Sequence, residues 1–194
     1  MTAAVVLAAG GSSRLGRPKQ LVVHRGGSLL RHAIDCAQRG GCDPVLVVLG
    51  AEADRIAADL EESDVAIVIN GDWRAGLASS IRAGVEAAQE QHPEPTALIL
   101  IACDQPQLTA GIVRELRESV ESGSNRLAAC RYAGTIGVPA AFDRSLFGEL
   151  RRLEGAGGAK PLLERRLDEA YFVDWPAGAI DVDRPEDLDA LGRD

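Results

Sequence analysis

A segment rich in glycine and serine, with basic residues at intervals, follows the first apolar run of the chain and reads LAAGGSSRLGRPK at residues 7–19. Glycine turns at a strand end let backbone N–H groups approach phosphate oxygens, and Arg14 and Lys19 add positive charge. The pattern predicts a loop that binds a triphosphate. The alternative is a plain flexible connection between a strand and a helix. The residues expected to contact the nucleotide in this loop are Leu7, Ala8, Ala9, Gly10, Gly11, Ser12, Arg14 and Lys19.

The spacing within this loop excludes two common phosphate-binding motifs. Gly10, Gly11 and Gly16 do not form the GxGxxG pattern of dinucleotide-binding folds. Lys19 is followed by Gln20, whereas the lysine of a Walker A motif is followed by serine or threonine. The loop therefore belongs to neither class.

An acidic residue follows the apolar run at residues 97–103. Because parallel strands open onto a ligand crevice at their carboxyl ends, the side chain of Asp104 is expected to face that crevice. Mg²⁺ prefers one or two carboxylates together with phosphate oxygens and water, so Asp104 is the first candidate for a metal ligand. The alternative is an Asx-turn or a helix N-cap before Thr109.

A polar stretch follows the third apolar run and opens a helical pattern. Asn70 stands at the strand end, Gly76 allows a close approach of the backbone, and Ser79 and Ser80 offer hydroxyl groups at the helix start. These four residues are expected to bind the nucleotide. The alternative is a capped loop in which Trp73 serves only for packing.

Short apolar runs alternate with segments of helical spacing along the first part of the chain. The runs lie at residues 4–8, 45–49, 65–69 and 97–102. Helical spacing occurs at residues 29–37, 56–60, 81–88, 112–120 and 146–153. This alternation predicts a Rossmann-like, doubly wound α/β fold with a mainly parallel sheet and helices on both faces. Weaker β runs after residue 125 predict a small β-rich C-terminal addition that completes the pocket.

The bulk composition sets limits on the class of protein. A chain of 194 residues, 46% hydrophobic and 26% charged, fits one globular domain spanning residues 1–194. A formal charge of −8 argues against nucleic acid as a partner. No apolar run approaches the roughly 20 residues needed to span a bilayer, so we expect no membrane contact and a cytoplasmic location. The four scattered cysteines, without a CxxC pair, predict buried thiols.

The loop and the acidic tripeptide together resemble a known superfamily. LAAGGSSRLGRPK is similar to the LAAGxSxRxGxxK loop of the sugar-nucleotide and molybdenum-cofactor nucleotidyltransferases, and DQP at residues 104–106 is similar to their DxP motif. In that superfamily the loop wraps a nucleoside triphosphate. The resemblance implies that Arg14, Lys19 and Asp104 are the catalytic residues. Ala9 stands where the guanylyltransferases usually carry glycine, and the Ala-Gly form implies CTP as the donor.

Three further segments resemble the cytidylyltransferase branch. NGDWRAGLASS at residues 70–80 is similar to NxxWxxGxxSS, which shapes the base pocket in that family. GTIGVPAAF at 134–142 and LEGAGGAK at 153–160 are similar to GxxGHPxxF and LxGDxGAR, which border its pterin substrate. The acceptor-binding residues that we assign from the resemblance are Gln105, Pro106, Gly137, Pro139 and Lys160.

This chain departs from the family pattern at three acceptor positions. Val138 stands where histidine is usual, Ala156 where aspartate is usual, and Lys160 where arginine is usual. The first two replacements remove a hydrogen-bonding group and a carboxylate. The identity of the acceptor is therefore the part of the resemblance that transfers least directly.

A second acidic cluster, DVDRPEDL at residues 181–188, is similar to the DIDTPEDL segment of the family, whose first part contributes to the metal and phosphate region. Asp183 lies before Pro185 and suits a helix N-cap, with Glu186 in the capping-box position. This leaves Asp181 as the second candidate for a metal ligand.

The resemblance implies a cytidylyltransferase that transfers CMP from CTP to molybdopterin, the molybdenum cofactor, with Mg²⁺ or Mn²⁺. A recipient molybdoenzyme or its chaperone is a further implied partner. The alternatives are a transferase that uses GTP or another nucleotide on a different phosphorylated acceptor, or a non-catalytic relative that only binds nucleotide or cofactor. The histidines His24, His32 and His92 lie outside these motifs, and we assign them no acid–base role.

Overall fold

The strands of this protein, in the computed structural model, are β1 (Thr2–Leu7), β2 (Val23–His24), β3 (Gly27–Ser28), β4 (Val45–Leu49), β5 (Ala66–Ile69), β6 (Ala97–Ala102), β7 (Leu127–Tyr132), β8 (Thr135–Asp143) and β9 (Ala170–Asp174). The α-helices are α1 (Leu29–Arg39), α2 (Ala53–Ala58), α3 (Leu77–Gln89), α4 (Ala110–Glu121), α5 (Phe147–Leu150), α6 (Lys160–Arg165) and α7 (Leu188–Leu191). Short 3-10 turns lie at Lys19–Leu21, Trp73–Ala75, Arg144–Leu146, Leu167–Glu169, Pro176–Ala179 and Pro185–Asp187. The structure describes residues 1–91 and 93–191.

Seven of the strands form one sheet in the order β5-β4-β1-β6-β8-β7-β9, and β2 pairs with β3 in a separate hairpin. The pairs β5·β4, β4·β1 and β1·β6 are parallel, as is β7·β9, whereas β8 is antiparallel to both β6 and β7. This topology confirms the predicted Rossmann-like α/β fold. The β-rich part after residue 125 extends the same sheet.

The register of the central strands brings two loops together. Leu7 pairs with Ala102, so the glycine-rich loop after β1 and the acidic tripeptide after β6 leave neighbouring strands at the same edge. Because β8 runs in the opposite direction, its first residues lie at this edge too, with Ala140 paired to Leu100 further inside. Ligand crevices form at such an edge.

Two hydrophobic layers cover the sheet because alternate residues of each buried strand point to opposite faces. Ala4 and Val6 of β1 pack in one layer with the apolar faces of α1, α2 and α4. Ala3 and Val5 pack in the other layer with α3, α5 and α6. Burial on both faces explains why these strands are continuous apolar runs.

A smaller apolar cluster connects the C-terminal segment to the first loop. Val182 is fully buried against Leu15, Val22 and Leu29. Its backbone N–H also donates to Asp104 O at 3.0 Å. The acidic cluster around Val182 is therefore held beside the end of β6.

Two helix N-termini on one face of the sheet are capped by hydroxyl side chains. Ser28 accepts a hydrogen bond from Arg31 N at the start of α1, and Thr109 accepts one from Ile112 N at the start of α4. The N-cap of α4 is thus Thr109 and not Asp104, which leaves the Asp104 carboxylate available for other contacts. In the described part of the chain, no helix has the length and apolar character needed to cross a membrane.

Candidate functional site

The loop after β1 folds back on the residues that follow it. Leu15 N and Gly16 N both donate to Ser12 O at 3.1 Å, and Lys19 N donates to the hydroxyl of Ser12 at 3.0 Å. Ser12 and Gly16 have φ angles of 50° and 75°, in the left-handed region. These turns return the chain to the sheet edge and place Lys19 beside the end of β6.

A network of two cations and two carboxylates forms at this edge. Nζ of Lys19 contacts Asp104 and also Asp183, the latter at 2.8 Å. Nη2 of Arg14 donates to the other oxygen of Asp183 at 2.6 Å. Burial lowers the pKa of Lys19, but the two carboxylates more than offset it, so the pKa lies above its ordinary value. Lys19 therefore carries its charge throughout the physiological range.

The donor set of this network suits a divalent cation. Asp104 and Asp183 contact one ammonium nitrogen, so their oxygens already face a common cation. Carboxylate oxygens are the protein ligands that Mg²⁺ and Mn²⁺ prefer. Within the described residues, no three His, Cys, Asp or Glu side chains form a ready-made metal site. A metal ion bound here would complete its shell with phosphate oxygens and water.

Asp183 contacts Lys19 and Arg14 of the loop, whereas the sequence favoured Asp181 as the second metal ligand. The side chain of Asp181 is exposed. Its pKa is raised by partial burial and by the neighbouring carboxylates of Asp183 and Asp104, so it lies near the network. In the Asp-Val-Asp alternation the two carboxylates share one side of the extended chain, so the spacing alone does not choose between them. That Asp181 is a metal ligand stays a prediction.

The helix N-cap predicted at the C-terminal turn was wrong, because other residues make the capping contacts. The N-cap of the turn Pro185–Asp187 is Arg184, not Asp183. The capping carboxylate is Asp187, which accepts hydrogen bonds from Asp183 N at 2.9 Å and Arg184 N at 2.7 Å, and not Glu186. The side chain of Asp183 takes no part in this cap and pairs with Lys19 and Arg14.

Asn70 holds the loop between β5 and α3 in place through hydrogen bonds. It is 5% exposed, and its Nδ2 donates to the hydroxyls of Ser79 at 2.9 Å and Ser80 at 3.0 Å. Its Oδ1 accepts from Asp72 N at 2.9 Å, and Ser79 donates onward to backbone carbonyls of the same loop. The hydrogen bonds of Asn70 and Ser79 are therefore made to other groups of the protein, and they hold this loop in place. Ser80 also lines the cavity described below.

Trp73 and Gly76 shape the same loop by close packing. A Cβ at Gly11 would lie 3.2 Å from the indole of Trp73, and a Cβ at Gly50 would lie 2.7 Å from it. The guanidinium of Arg74 lies 4.4 Å from the centre of the Trp73 ring. Gly76 has φ 110°, and a Cβ there would lie 2.6 Å from Gly155 O. The close approach predicted at Gly76 is thus made to another backbone segment.

Gln105 lies behind the acceptor side of the site. The residue is 7% exposed, and its Nε2 donates to Val138 O and to Gly178 O, both at 3.2 Å. Tyr132 donates to the same Val138 carbonyl at 2.9 Å. These bonds hold Val138, which lines the cavity, against the tripeptide after β6. Nε2 of Gln105 is thus bound to protein atoms, whereas its Oε1 is buried without a hydrogen-bond partner among the described residues. Its assignment to the acceptor stays a prediction.

The other four predicted acceptor residues are dispersed. Pro106 accepts at its carbonyl from the ring of His24 at 3.0 Å, and Pro139 is buried in β8. Gly137 has no room for a side chain, because a Cβ would lie 2.4 Å from the hydroxyl of Tyr132. Lys160, whose side chain is 51% exposed, lines a separate cavity of about 620 Å³. Their assignment to the acceptor remains a prediction.

A cavity of about 320 Å³ lies among these residues. Its lining includes eight of the predicted residues, namely Leu7, Ala9, Gly10, Arg14, Lys19, Gly76, Ser80 and Asp104. It also includes Trp73, Leu77, Ala102, Val138 and Asp183, which were not assigned to the site. The predicted residues Ala8, Gly11, Ser12, Asn70, Ser79 and Asp181 lie outside that lining. A cavity of this size is within the usual range for small-molecule sites.

A larger cavity of about 650 Å³ lies between the β2–β3 hairpin, α1 and the start of α4. Its lining includes His24 and His32, whose rings are 5.0 Å apart, and none of the predicted site residues. Burial and the neighbouring His24 lower the pKa of His32. Both histidines are therefore away from the carboxylate network, and His92 lies outside the described residues.

Comparisons with known proteins identify the family. A family profile described as "MobA-like NTP transferase domain" matches residues 4–170. The crystal structure of Rv0371c from Mycobacterium tuberculosis H37Rv superposes with a TM-score of 0.84 at 32% identity, covering 98% of this chain and 96% of that one. Rv0371c has also been solved in complex with manganese, and that structure is 30% identical with a TM-score of 0.80 over 98% of this chain and 97% of that chain.

Two curated relatives match over part of the chain. The nicotine blue oxidoreductase of Paenarthrobacter nicotinovorans is 38% identical over 130 residues, 66% of this chain and 61% of that protein. The molybdenum cofactor cytidylyltransferase of Escherichia coli K12 is 30% identical over 113 residues, 58% of this chain and 56% of that protein. The match thus spans less than two thirds of either relative. Since the family profile covers most of the chain, this protein belongs to the MobA-like NTP transferase domain family.

Proposed function

We propose that this protein is a divalent-metal-dependent nucleotidyltransferase that transfers CMP from CTP to molybdopterin and releases pyrophosphate. The observation that carries the proposal is the contact of Lys19 with both Asp104 and Asp183, with Arg14 on the second carboxylate, at the wall of one cavity. A binding site for a metal–triphosphate complex needs this combination of cations and carboxylates, because the ligand carries both signs of charge.

The ion pairs of this network define how the residues would act. Two carboxylates neutralise two cations, so the network has little net charge without ligand. With CTP and the metal ion bound, Lys19 and Arg14 would hold phosphate oxygens in place of carboxylate oxygens, and Asp104 and Asp183 would hold the metal ion. Mg²⁺ or Mn²⁺ would supply shielding of phosphate charge. Each charge-assisted hydrogen bond from Lys19 or Arg14 to a carboxylate would be replaced by one to a phosphate oxygen, which limits the free-energy cost of breaking the ion pairs.

The transfer requires positioning more than acid–base chemistry. A terminal phosphate oxygen of the acceptor attacks the α-phosphorus of CTP, a new P–O bond forms, and the bond to the bridging oxygen of the β-phosphate breaks. Pyrophosphate leaves with the electron pair of that bond. Lys19 and Arg14 would stabilise the charge that accumulates on the phosphate oxygens. A nucleophilic side chain is not needed for this direct displacement.

The choice of CTP and molybdopterin is supported by the Ala-Gly form of the loop and by the similarity to the Escherichia coli cytidylyltransferase. The choice of a divalent metal is supported by the manganese complex of Rv0371c. Val138, in place of the usual histidine, makes the cavity wall apolar at the acceptor side. Acceptors that offer an apolar ring edge to this wall would therefore suit the site better than acceptors that need a hydrogen bond there.

The test is pyrophosphate release by the purified protein with molybdopterin, Mg²⁺ or Mn²⁺, and CTP, GTP, ATP or UTP in turn. We expect release with CTP, and a fall of about 100-fold or more in Asp104→Asn. Asp35→Asn is the matched control, because Asp35 pairs with Arg39 on the exposed surface of α1. Release with another nucleotide would contradict the choice of donor, and CTP binding without release under any acceptor would contradict transferase activity.

A second candidate function is an oxidoreductase, which the 38% identity to nicotine blue oxidoreductase favours. In that case the cavity would bind a redox substrate, and no pyrophosphate would form. The test incubates the purified protein with nicotine blue and a two-electron reductant and follows the absorbance of nicotine blue. Reduction of nicotine blue without pyrophosphate release would support this function and overturn the transferase proposal.

A further inference from the structure

Gln20 is a polar residue, yet it is completely buried directly behind the glycine-rich loop. Its Nε2 donates to Ala8 O at 2.7 Å and to Gly10 O at 2.9 Å. Its Oε1 accepts from the hydroxyl of Ser12 at 3.4 Å. One side chain thus contacts three positions of the loop.

These bonds set the direction of two backbone N–H groups. In a trans peptide, the C=O of one residue and the N–H of the next point in opposite directions. By accepting from Gln20, the carbonyls of Ala8 and Gly10 hold the N–H groups of Ala9 and Gly11 pointing away from Gln20. In the same way, Ala9 O accepts from Ala51 N at 3.0 Å, which orients the N–H of Gly10.

The oriented N–H groups have no partner within the part of the chain that the structure describes. The backbone nitrogens of Ala9, Gly10 and Gly11 donate to no acceptor there. Ala9 and Gly10 line the cavity together with Arg14 and Lys19, whereas Gln20 does not. Successive N–H groups beside a cavity and two cations form an anion-binding arrangement.

We propose that Gln20 is a positioning residue that holds the amides of Ala9 and Gly11 ready for the phosphates of the donor. The inference rests on the proposed function, because it assumes that a nucleoside triphosphate occupies the cavity. Gln20 touches no substrate and acts through the loop.

The chemistry of the site explains why glutamine suits this position. A primary amide carries two N–H groups on one nitrogen and an acceptor oxygen, so it can bridge two carbonyls and still accept from a hydroxyl. An ionised glutamate has no donor, and the three donors of a lysine would bring a buried charge. Methionine has a similar length and makes none of these bonds.

The experiment compares the full-length wild-type protein with Gln20→Met and with Gln38→Met as the matched control. Gln38 also donates to a backbone carbonyl, Asp64 O at 3.1 Å, but on the exposed surface far from the cavity lining. Backbone ¹H–¹⁵N spectra are recorded during titration with CTP and Mg²⁺. We expect the Ala9, Gly10 and Gly11 amides of the wild type and the control to shift downfield on binding.

In Gln20→Met we expect the Ala9 and Gly11 amides to lose their shifts, whereas the Gly10 amide, oriented through the bond from Ala51 N to Ala9 O, keeps its shift. The Kd for CTP should rise about tenfold, as for the loss of one charge-assisted hydrogen bond. The kcat at saturating CTP should change much less than the KM, because the catalytic cations remain. Equal shifts and an equal Kd in the variant would overturn the proposal. General destabilisation of the fold would not erase the shifts of two loop amides selectively.

A second measurement uses only the wild type, so it does not depend on folding of the variant. The side-chain amide protons of Gln20 should exchange slowly with solvent, and CTP with Mg²⁺ should slow exchange at Ala9 and Gly11. Fast exchange of the Gln20 amide would overturn the proposed role. If no amide of the cavity responds to any nucleotide, it is the proposed function that fails, and the two failures are thereby distinguished.

Discussion

The contacts of Asp183 connect the C-terminal segment to both cations of the first loop, Lys19 and Arg14. Burial raises the pKa of this carboxyl, but hydrogen bonds and ion pairs with Lys19 and Arg14 outweigh it and hold the pKa below its ordinary value. A carboxyl whose pKa is lower in the folded state stabilises the fold above its unfolded pKa of about 3.9, and this contribution is lost as the pH falls through the folded value.

We therefore expect Asp183→Asn to lower the free energy of unfolding by about 1 kcal/mol at pH 7, since the carboxyl is part-buried and part of a network. The difference from the wild type should shrink as the pH falls below the unfolded pKa of about 3.9 and through the lowered folded pKa, because the wild-type carboxyl then loses its charge too. Urea unfolding at a series of pH values measures this. Asp174→Asn is the control, because the side chain of Asp174 is 73% exposed and pairs with Arg131 at the surface. A loss that does not depend on pH would contradict the charge explanation.

At the scale of the elements, α3 packs unusually closely on the sheet because of Gly84. A Cβ at this position would lie 2.3 Å from Cγ1 of Val5 and 3.1 Å from Cγ2 of Val48. The same helix carries Ser79 and Ser80 in its first turn, so its distance from β1 sets the position of the cavity wall.

Gly84→Ala should lower the free energy of unfolding by about 1–3 kcal/mol, because the added methyl group overpacks the interface between α3 and the sheet. Gly148→Ala in α5 is the matched control. No atom lies within 4 Å of the Cβ position there, so the higher helix propensity of alanine should leave the stability equal or up to about 1 kcal/mol higher. Thermal and urea unfolding of the two variants check this. Equal losses in both would show that the contact with Val5 does not explain the result, because Gly148 has no such contact.

At the scale of the whole molecule, the four cysteines report on the integrity of one hydrophobic layer, the one that contains α1, α2 and α4. Cys36, Cys42, Cys103 and Cys130 are buried free thiols, as the scattered spacing predicted. Burial raises the pKa of Cys36 to about 11 and those of the other three to about 12. Thiol reagents react with the thiolate, so burial and a high pKa both suppress the reaction.

We expect no thiol of the native protein to react with a disulfide reagent at pH 8 on the timescale of minutes, and all four to react after denaturation in guanidinium chloride. The slow native reaction should follow the rate of unfolding, and CTP with Mg²⁺ should slow it further if nucleotide binding stabilises the fold. Absorbance of the released thiol measures the number of groups. A rapid native reaction of one thiol would show that part of a hydrophobic layer opens locally.

Much of the fold was accessible from the sequence because buried parallel strands must be continuous apolar runs. The predicted runs at 45–49 and 97–102 coincide with β4 and β6. The β2–β3 hairpin and α6 were not predicted. The hairpin strands have two residues each, and α6 has six, which is too short for a periodic pattern to stand out.

The sequence by itself determined the residues of the first loop and the acidic residue after β6, because a glycine-rich turn and a carboxylate at strand ends act through local geometry. Only the tertiary structure decided that Asp183 pairs with Lys19 across 164 positions, that Gln20 braces the loop, and that Lys160 faces another cavity. The physical reason is that these contacts depend on how distant segments pack. Val182, buried against Leu15, holds the segment that carries Asp183 beside the first loop.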